Sequence, residues 1–422
     1  MENNVTPIRS RQAFHSPKNP AFLQNRIDRY YRERVMNTWD GGHIMRGLTP
    51  DQSSILLSSN DYLSIAQHTN IKNAIAESIE MNGSGTLMSG IFLHGDNKQL
   101  ALEKSFANFM QSESSIISQS GWCANTGLIQ SIANEHTPVY IDVLAHTSLW
   151  EGVKSAGASA VSIFHNDPEH LERQILRKGP GVVVIDSVYS TNGSIAPLVE
   201  IANICEKEGC ILVVDESHSL GTHGPAGAGL VVELNLTSKV HFRTASLAKA
   251  FAGRAGIIAC NHEFSDYFKF EANPAIFSST LLPYEIAGLQ ATLDVIQKED
   301  WRRSKLQQIS KKVRENLDDF GYNLNGSLSQ IISLESGTEQ QTITLRNALE
   351  KRGVFGSVFC APATAKNRAL MRFSLNANLD DYSVEKIISV CREIRGEVGM
   401  HNWASTRRNR HVTREIPSVN VA

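Results

Sequence analysis

The sequence predicts an α/β protein: a large domain on a mixed, mostly parallel sheet, then a smaller α+β C-terminal domain. Three observations carry this. Between about residues 60 and 295, short runs rich in Val and Ile alternate with stretches of helical period. Those runs are apolar on nearly every residue, as strands covered on both faces are. Beyond residue 296, longer helices of period three and four enclose a few short strands.

The elements follow in order. Residues 1–59 read as an N-terminal arm and helix: 1–20 mix Asn, Pro, Arg and Ser without period, and an amphipathic helix is expected over about 21–36. The large domain is assigned to 60–295, with buried strands at 139–143, 182–185, 211–214 and 257–260 and a helix over 198–208. A small domain is assigned to 296–398. There Leu306, Ile309, Val313, Leu317 and Phe320 recur at spacings of three and four, with Gly321 as a C-terminal stop. Val384, Ile387, Cys391 and Ile394 repeat that period, and short strands are expected at 330–334 and 371–375. Residues 399–422, including the basic run TRRNRHVTRE, read as a flexible basic tail, with contact to an anionic partner as the alternative.

Composition excludes several classes. The 422 residues are 41% hydrophobic and 20% charged, with a net charge of −2, so neither disorder nor a broad nucleic-acid surface is expected. No apolar run reaches the roughly 18 residues of a membrane helix. The first residues lack an apolar signal core, so the chain is expected to be cytoplasmic. The six cysteines, scattered through apolar stretches, read as buried structural thiols, and no metal site is expected.

In a parallel sheet, ligands sit beyond the carboxyl ends of the strands. Two apolar runs end in an acid there: VVVID at Asp186 and ILVVD at Asp215. The second continues as DESHSLGTHGPAGAG and places His218 three residues on. The glycine-rich run at 221–227 matches no dinucleotide or P-loop pattern and reads as a loop over a cofactor. Next comes TASLAK, ending at Lys249 between small residues. An acid and a lysine in this order fit pyridoxal 5'-phosphate (PLP), which needs an amine for a Schiff base and an acid opposite its ring nitrogen. The run SQSGWCAN supplies a strand, a turn at Gly121 and a helix start, whose N–H groups suit a phosphate. A ring to stack on the cofactor is available at His146 in LAHTSLWEG.

These segments, together with NDYL at 60–63, occur in the order found in the α-oxoamine synthases, which the chain resembles over about residues 21–396. The runs DSVYSTNGSIAPL, PAIFSSTLLPYE and GVFGSVFCAPATAKN are similar to one branch of that family, the quorum-sensing autoinducer synthases. The resemblance implies a fold-type I PLP enzyme that condenses an amino acid with an acyl-CoA and releases carbon dioxide. It implies a homodimer with a composite active site, with no nucleic-acid or membrane partner. The implied product is an α-aminoketone precursor of an α-hydroxyketone signal, made from a medium- or long-chain acyl-CoA and S-adenosylmethionine or 2-aminobutyrate. Another α-oxoamine synthase using glycine, alanine or serine, or a non-catalytic partner subunit, stands as the alternative.

Residue by residue, the resemblance implies that Lys249 holds the cofactor and moves the Cα proton. Asp215 pairs with the ring nitrogen, His218 bonds the ring oxygen, His146 stacks on the ring, and Ser190 lies near the same oxygen. Gly121, Trp122 and Cys123 cradle the phosphate, the latter two through backbone N–H groups, with Ser246 beside them. Ser279 and Thr280 reach the phosphate of the neighbouring subunit. Arg372 takes the substrate carboxylate, with Asn60 close by. The family's histidine before Leu102-Glu103 has no clear counterpart, because the insertion HGDNK at 94–98 alters the register; His94 reads as a loop residue.

Overall fold

The computed structural model describes residues 16–85 and 87–404. It divides into two units, Met1–Gly47 and Leu48–Ala422. The basic run of the tail lies outside the described residues.

In the first unit, helix α1 (Ala21–Tyr30) runs directly into a π-helical segment, Tyr31–Met36. The helical span expected from the sequence is present, but its hydrogen-bond spacing widens after Tyr30. Asn37 N–H reaches back five residues to Arg32, and Trp39 N–H to Arg34. The Arg34 guanidinium lies 4.8 Å from the centre of the Trp39 ring.

The second unit is organised by its larger sheet. In chain order its strands are β1 (Ser114–Ser118), β2 (Pro138–Asp142), β3 (Ser159–Ile163), β4 (Val182–Asp186), β5 (Ile211–Asp215), β6 (Phe242–Ser246) and β7 (Gly256–Cys260). Among the described residues these seven lie in the order β1-β7-β6-β5-β4-β2-β3. Pairings are parallel from β6 through β3; β7 runs against both its neighbours. Alternation accounts for burial on both faces. Val182 and Val184 join Val139, Ile141, Val213 and Ile258 in one core cluster with Leu128 and Ile129 of α2 (Gly121–Ile132) and Leu149 and Val153 of α3 (Thr147–Ser155). Val183, Ile185, Leu212 and Val214 point the other way and are equally buried, as are Leu198, Ile201, Ala202 and Cys205 of α4 (Leu198–Glu208). Phe268 of α5 (His262–Glu271) completes the first cluster.

Helix α6 (Pro283–Lys298) runs across residue 296, where the sequence reading began the small domain, because its buried period continues through Val295 and Ile296. Helix α7 (Asp300–Asp319) follows, and Gly321 after it has φ +85°, the left-handed conformation that ends helices. A three-stranded antiparallel sheet has the order β9-β10-β8, with β8 (Ile331–Gly337), β9 (Ser357–Phe359) and β10 (Ala369–Ser374). Helix α8 (Asp381–Glu393) buries Val384, Ile387 and Cys391. All the cysteines are free, and all but the half-buried Cys123 are buried. Among the described residues no helix is long and apolar enough to cross a membrane.

The chain passes from β2 outward to β3 and then returns to β4 on the other side of β2. That reversal is a topological switch point, and the crevice it opens lies beyond the carboxyl ends of the strands.

Candidate active site

Three adjacent parallel strands end in an acid at this crevice: Asp142 on β2, Asp186 on β4 and Asp215 on β5. Asp186 and Asp215 are directly paired in register. Their surroundings differ. Asp215 accepts the Ser217 N–H on Oδ1 at 2.8 Å and the Asn125 side-chain amide on Oδ2 at 2.7 Å. Asp186 accepts the His146 N–H at 3.0 Å. Burial, then the negative charges of Asp215 and Asp142, push the Asp186 carboxyl well above its ordinary range.

Helix α2 begins beside them. Ser120 caps it, its Oγ accepting the Cys123 N–H at 3.1 Å. Gly121 and Trp122, as the first helical residues, have no acceptor within the helix for their own N–H groups. The backbone passes close to β6 here: a Cβ on Gly121 would stand 2.5 Å from the Cβ of Ser246, so only glycine fits. Ser246 is fixed in turn by its N–H donating to Ser217 Oγ at 2.7 Å.

Lys249 follows β6 and is half-buried. Burial, then the Arg372 charge, lower the affinity of its amine for a proton, with Asp215 opposing. A larger share of neutral, nucleophilic amine results. His146 is the N-cap of α3, and its ring meets Trp122 edge-on at 6.3 Å.

The opposite wall comes from distant parts of the chain. Arg372 on β10 is 6% exposed. Its guanidinium donates to the Ser190 carbonyl at 2.7 Å and to Asn60 Oδ1 at 3.1 Å, and lies 4.7 Å from the Phe359 ring centre. Its Nε–H has no partner. The Tyr62 hydroxyl joins Asn60 Oδ1 at 3.3 Å to His218 Nδ1 at 2.7 Å. Burial, then the charges of Lys249 and Arg372, hold His218 well below the usual histidine range, so it is neutral near pH 7.

These walls enclose a cavity of about 630 Å³. It is lined by Asn60, Gly121, Trp122, His146, Ser190, Asp215, His218, Ser246, Lys249 and Arg372, all named by the sequence. Three named residues stand elsewhere. Cys123 is absent from the lining, and its N–H is taken by the Ser120 cap, which leaves the orphan donors to Gly121 and Trp122. Ser279 and Thr280 do not line the cavity of their own chain; the Ser279 carbonyl accepts Gln119 Nε2 at 2.9 Å and the Thr280 N–H bonds the Met88 carbonyl at 2.8 Å. The glycine-rich run at 221–227 is not part of the lining either. It packs behind the lysine loop, where a Cβ on Gly221 would stand 2.7 Å from that of Ala250. His94 is exposed in the loop before residue 98.

Sequence reasoning missed Asn125, Ser148, Tyr62 and Phe359, all at or beside the cavity. Asn125 carried a signal: it lies one turn after Gly121, on the face of α2 that must turn toward β6.

Comparison with known proteins decides the family. The chain is 46% identical over 374 residues to the CAI-1 autoinducer synthase of Vibrio campbellii, spanning 89% of this chain and 95% of that one. It is 30% identical over 347 residues to the 8-amino-7-oxononanoate synthase of Bacillus pumilus, spanning 81% and 88%. The family model for aminotransferase class I and II matches residues 52–390. The chain belongs to the α-oxoamine synthases of that family. Among solved α-oxoamine synthases, the serine palmitoyltransferase of Sphingomonas wittichii superposes with a TM-score of 0.83 at 25% identity, over 89% of this chain and 99% of that one. The fold-type I architecture expected from the sequence is therefore the observed one.

PLP is the cofactor of this enzyme family, and the cavity fits it. A half-buried lysine of weakened basicity, a buried carboxylate and a helix start kept open by Gly121 converge on one space. The unpartnered Arg372 Nε–H, inside a buried guanidinium, marks a place where an anion is wanted.

Proposed function

We propose that this enzyme condenses an amino acid with a medium- or long-chain acyl-CoA, releasing coenzyme A and carbon dioxide and leaving an α-aminoketone. The observation that carries the reading is the meeting of Lys249, Asp215 and Arg372 in one cavity. Similarity to the CAI-1 autoinducer synthase of Vibrio campbellii supports a product that feeds an autoinducer; the amino donor we propose is S-adenosylmethionine or 2-aminobutyrate.

Bound PLP would supply a sink for the electron pair left at the amino acid's Cα. Lys249 would hold the cofactor through its Nζ and carry the Cα proton. Asp215 would face the ring nitrogen, where a carboxylate about 4 Å away favours the protonated ring by several kcal/mol at an effective dielectric near 20. His146 would lie against the ring face, with His218 and Ser190 at the ring oxygen. The N–H groups of Gly121 and Trp122, with Ser246, would meet the phosphate. Arg372 offers the substrate carboxylate a planar, two-point grip, and Asn60 keeps that guanidinium in place. Phe359, Pro362 and Ala363 add apolar surface to that side of the cavity. Ser279 and Thr280, outside their own cavity, would complete that of a second copy in a homodimer.

The test is a product balance with carboxyl-labelled amino acids and a panel of acyl-CoAs. Equal amounts of free coenzyme A, labelled carbon dioxide and aminoketone are expected, with the S-adenosylmethionine or 2-aminobutyrate arms leading. Preference for glycine, alanine or serine would move the chain to another α-oxoamine synthase activity. Label retained in a released keto acid, with no coenzyme A freed, would overturn the reading.

A further inference from the structure

We propose that Asn125 is a positioning residue that ties the Asp215 carboxylate to the His146 ring through Ser148, fixing His146 with its ring proton on Nε2. The inference goes beyond the roles above but rests on the reading of Asp215 and His146 as cofactor-facing residues.

The geometry begins with the sheet. Asp215 on β5 and Thr244 on β6 are paired in register, and both reach Asn125 on the overlying helix α2. Thr244 Oγ1 donates to Asn125 Oδ1 at 2.6 Å. Asn125 Nδ2 donates to Asp215 Oδ2 at 2.7 Å and to Ser148 Oγ at 2.9 Å. An amide has two N–H groups and both are used. Turning the amide over would set its oxygen against the Asp215 carboxylate, so the network allows one orientation.

Helix α3 is brought within reach by a glycine. A Cβ on Gly152, one turn beyond Ser148, would stand 2.9 Å from Ile129 Cδ1 and 3.2 Å from the Asn125 carbonyl. Ser148 is fully buried. Its hydroxyl oxygen accepts from Asn125, so its single proton is free for His146 Nδ1, 2.7 Å away. The Ser148 backbone N–H points at the same nitrogen at 3.3 Å. Two donors on Nδ1 make it an acceptor, and the neutral ring then carries its proton on Nε2.

The titratable groups that face His146 are Asp186, Asp215, His218 and Lys249. Asp186 at the end of β4 takes its backbone N–H, and His218 after β5 stands near. Burial lowers its basicity most, Lys249 lowers it further, and Asp215 opposes them. The chain from Thr244 to His146 thus has one direction of donation along its whole length. A proton added at Nδ1 would meet two N–H or O–H groups already aimed at it.

The experiment uses the full chain, without cofactor, labelled with 15N-histidine, and reads the two ring nitrogens of His146 across pH. The His146→Phe variant assigns the signals. The wild type is expected to show an unprotonated Nδ1 and a protonated Nε2. Ser148→Ala leaves the contacts of Asn125 with Thr244 and Asp215 in place but removes the hydroxyl donor. It should mix the two tautomers and raise the His146 titration midpoint by about half to one pH unit. Asn125→Ala should do the same, and Ser148→Thr should restore the wild-type pattern. An unchanged tautomer and midpoint in folded Ser148→Ala would overturn the proposal, even if Asn125→Ala does not fold. Adding PLP separates this from the reading it rests on. If the His146 signals do not respond to PLP, His146 is not a cofactor-facing residue, whatever its tautomer.

Discussion

The two walls of the cavity are built in different ways. The acid wall uses the carboxyl ends of neighbouring strands, so Asp186, Asp215 and Lys249 arrive with their strands and the loop after β6. The arginine wall joins Arg372 to Asn60 across 312 residues of chain, with Phe359 on a third segment. One wall is fixed by the framework of the sheet; the other exists only when distant segments meet. Removing Lys249 from the first should therefore abolish chemistry, and breaking the second should weaken the hold on substrate.

The largest effect is expected at Lys249. On the proposed roles, Lys249→Ala removes both the amine that would hold the cofactor and the carrier of the Cα proton. Turnover should fall by on the order of a thousandfold or more. The borohydride-sensitive visible absorbance of the PLP-loaded protein should vanish with it. Spectra and steady-state rates together check this, and substantial turnover without added amines would show that the acid wall has been misread.

The same contrast explains what was legible in the sequence. Runs such as VVVID and ILVVD are apolar throughout because both faces of the sheet are covered, so strands and terminal acids could be read together. The helix expected over 198–208 has those bounds in the structure, with Pro197 before it and Gly209, in the left-handed conformation, after it. Arg372 was found through resemblance, since nothing in a short strand says which residue faces Asn60. Asn125 and Tyr62 escaped because a polar residue in a helix or loop ordinarily faces water. Their burial depends on what folds over them. The glycines at 221–227 read as a cofactor loop because composition reveals close approach but not its partner, which for Gly221 is Ala250 and for Gly224 the Gly229 backbone rather than a ligand.

An intermediate effect is expected from the second wall. Arg372→Ala should raise KM for the amino acid about tenfold to a hundredfold, the loss of a charge-assisted pair, and leave KM for acyl-CoA nearly unchanged. Arg372→Lys keeps the charge but not the planar fork, and should recover only part of the difference. Saturation curves in each substrate test this. An equal rise in both constants would mean that Arg372 supports the whole cavity rather than one end of it.

The smallest effect is expected at the acid that the chemistry does not require. Asp186 lies between Asp142 and Asp215 on adjoining strand ends, and its proton is held by burial first and by those two charges next. In the unfolded chain its carboxyl titrates near its ordinary value of about 3.9. The folded protein therefore binds a proton that the unfolded chain releases. The stability this contributes is fully present below the unfolded value and is lost as pH rises through the raised folded value. Each tenfold tightening of proton binding makes that loss about 1.4 kcal/mol. Asp186→Asn keeps an oxygen for the His146 N–H and cannot ionise, so the loss should disappear. Denaturation midpoints taken from acid to neutral pH should fall less in the variant than in the wild type. Turnover should change less than for either substitution above, because Asp215 keeps its own two donors from Ser217 and Asn125. If the variant instead loses turnover as completely as Lys249→Ala, both acids act on the cofactor, and the acid wall has two working carboxylates rather than one.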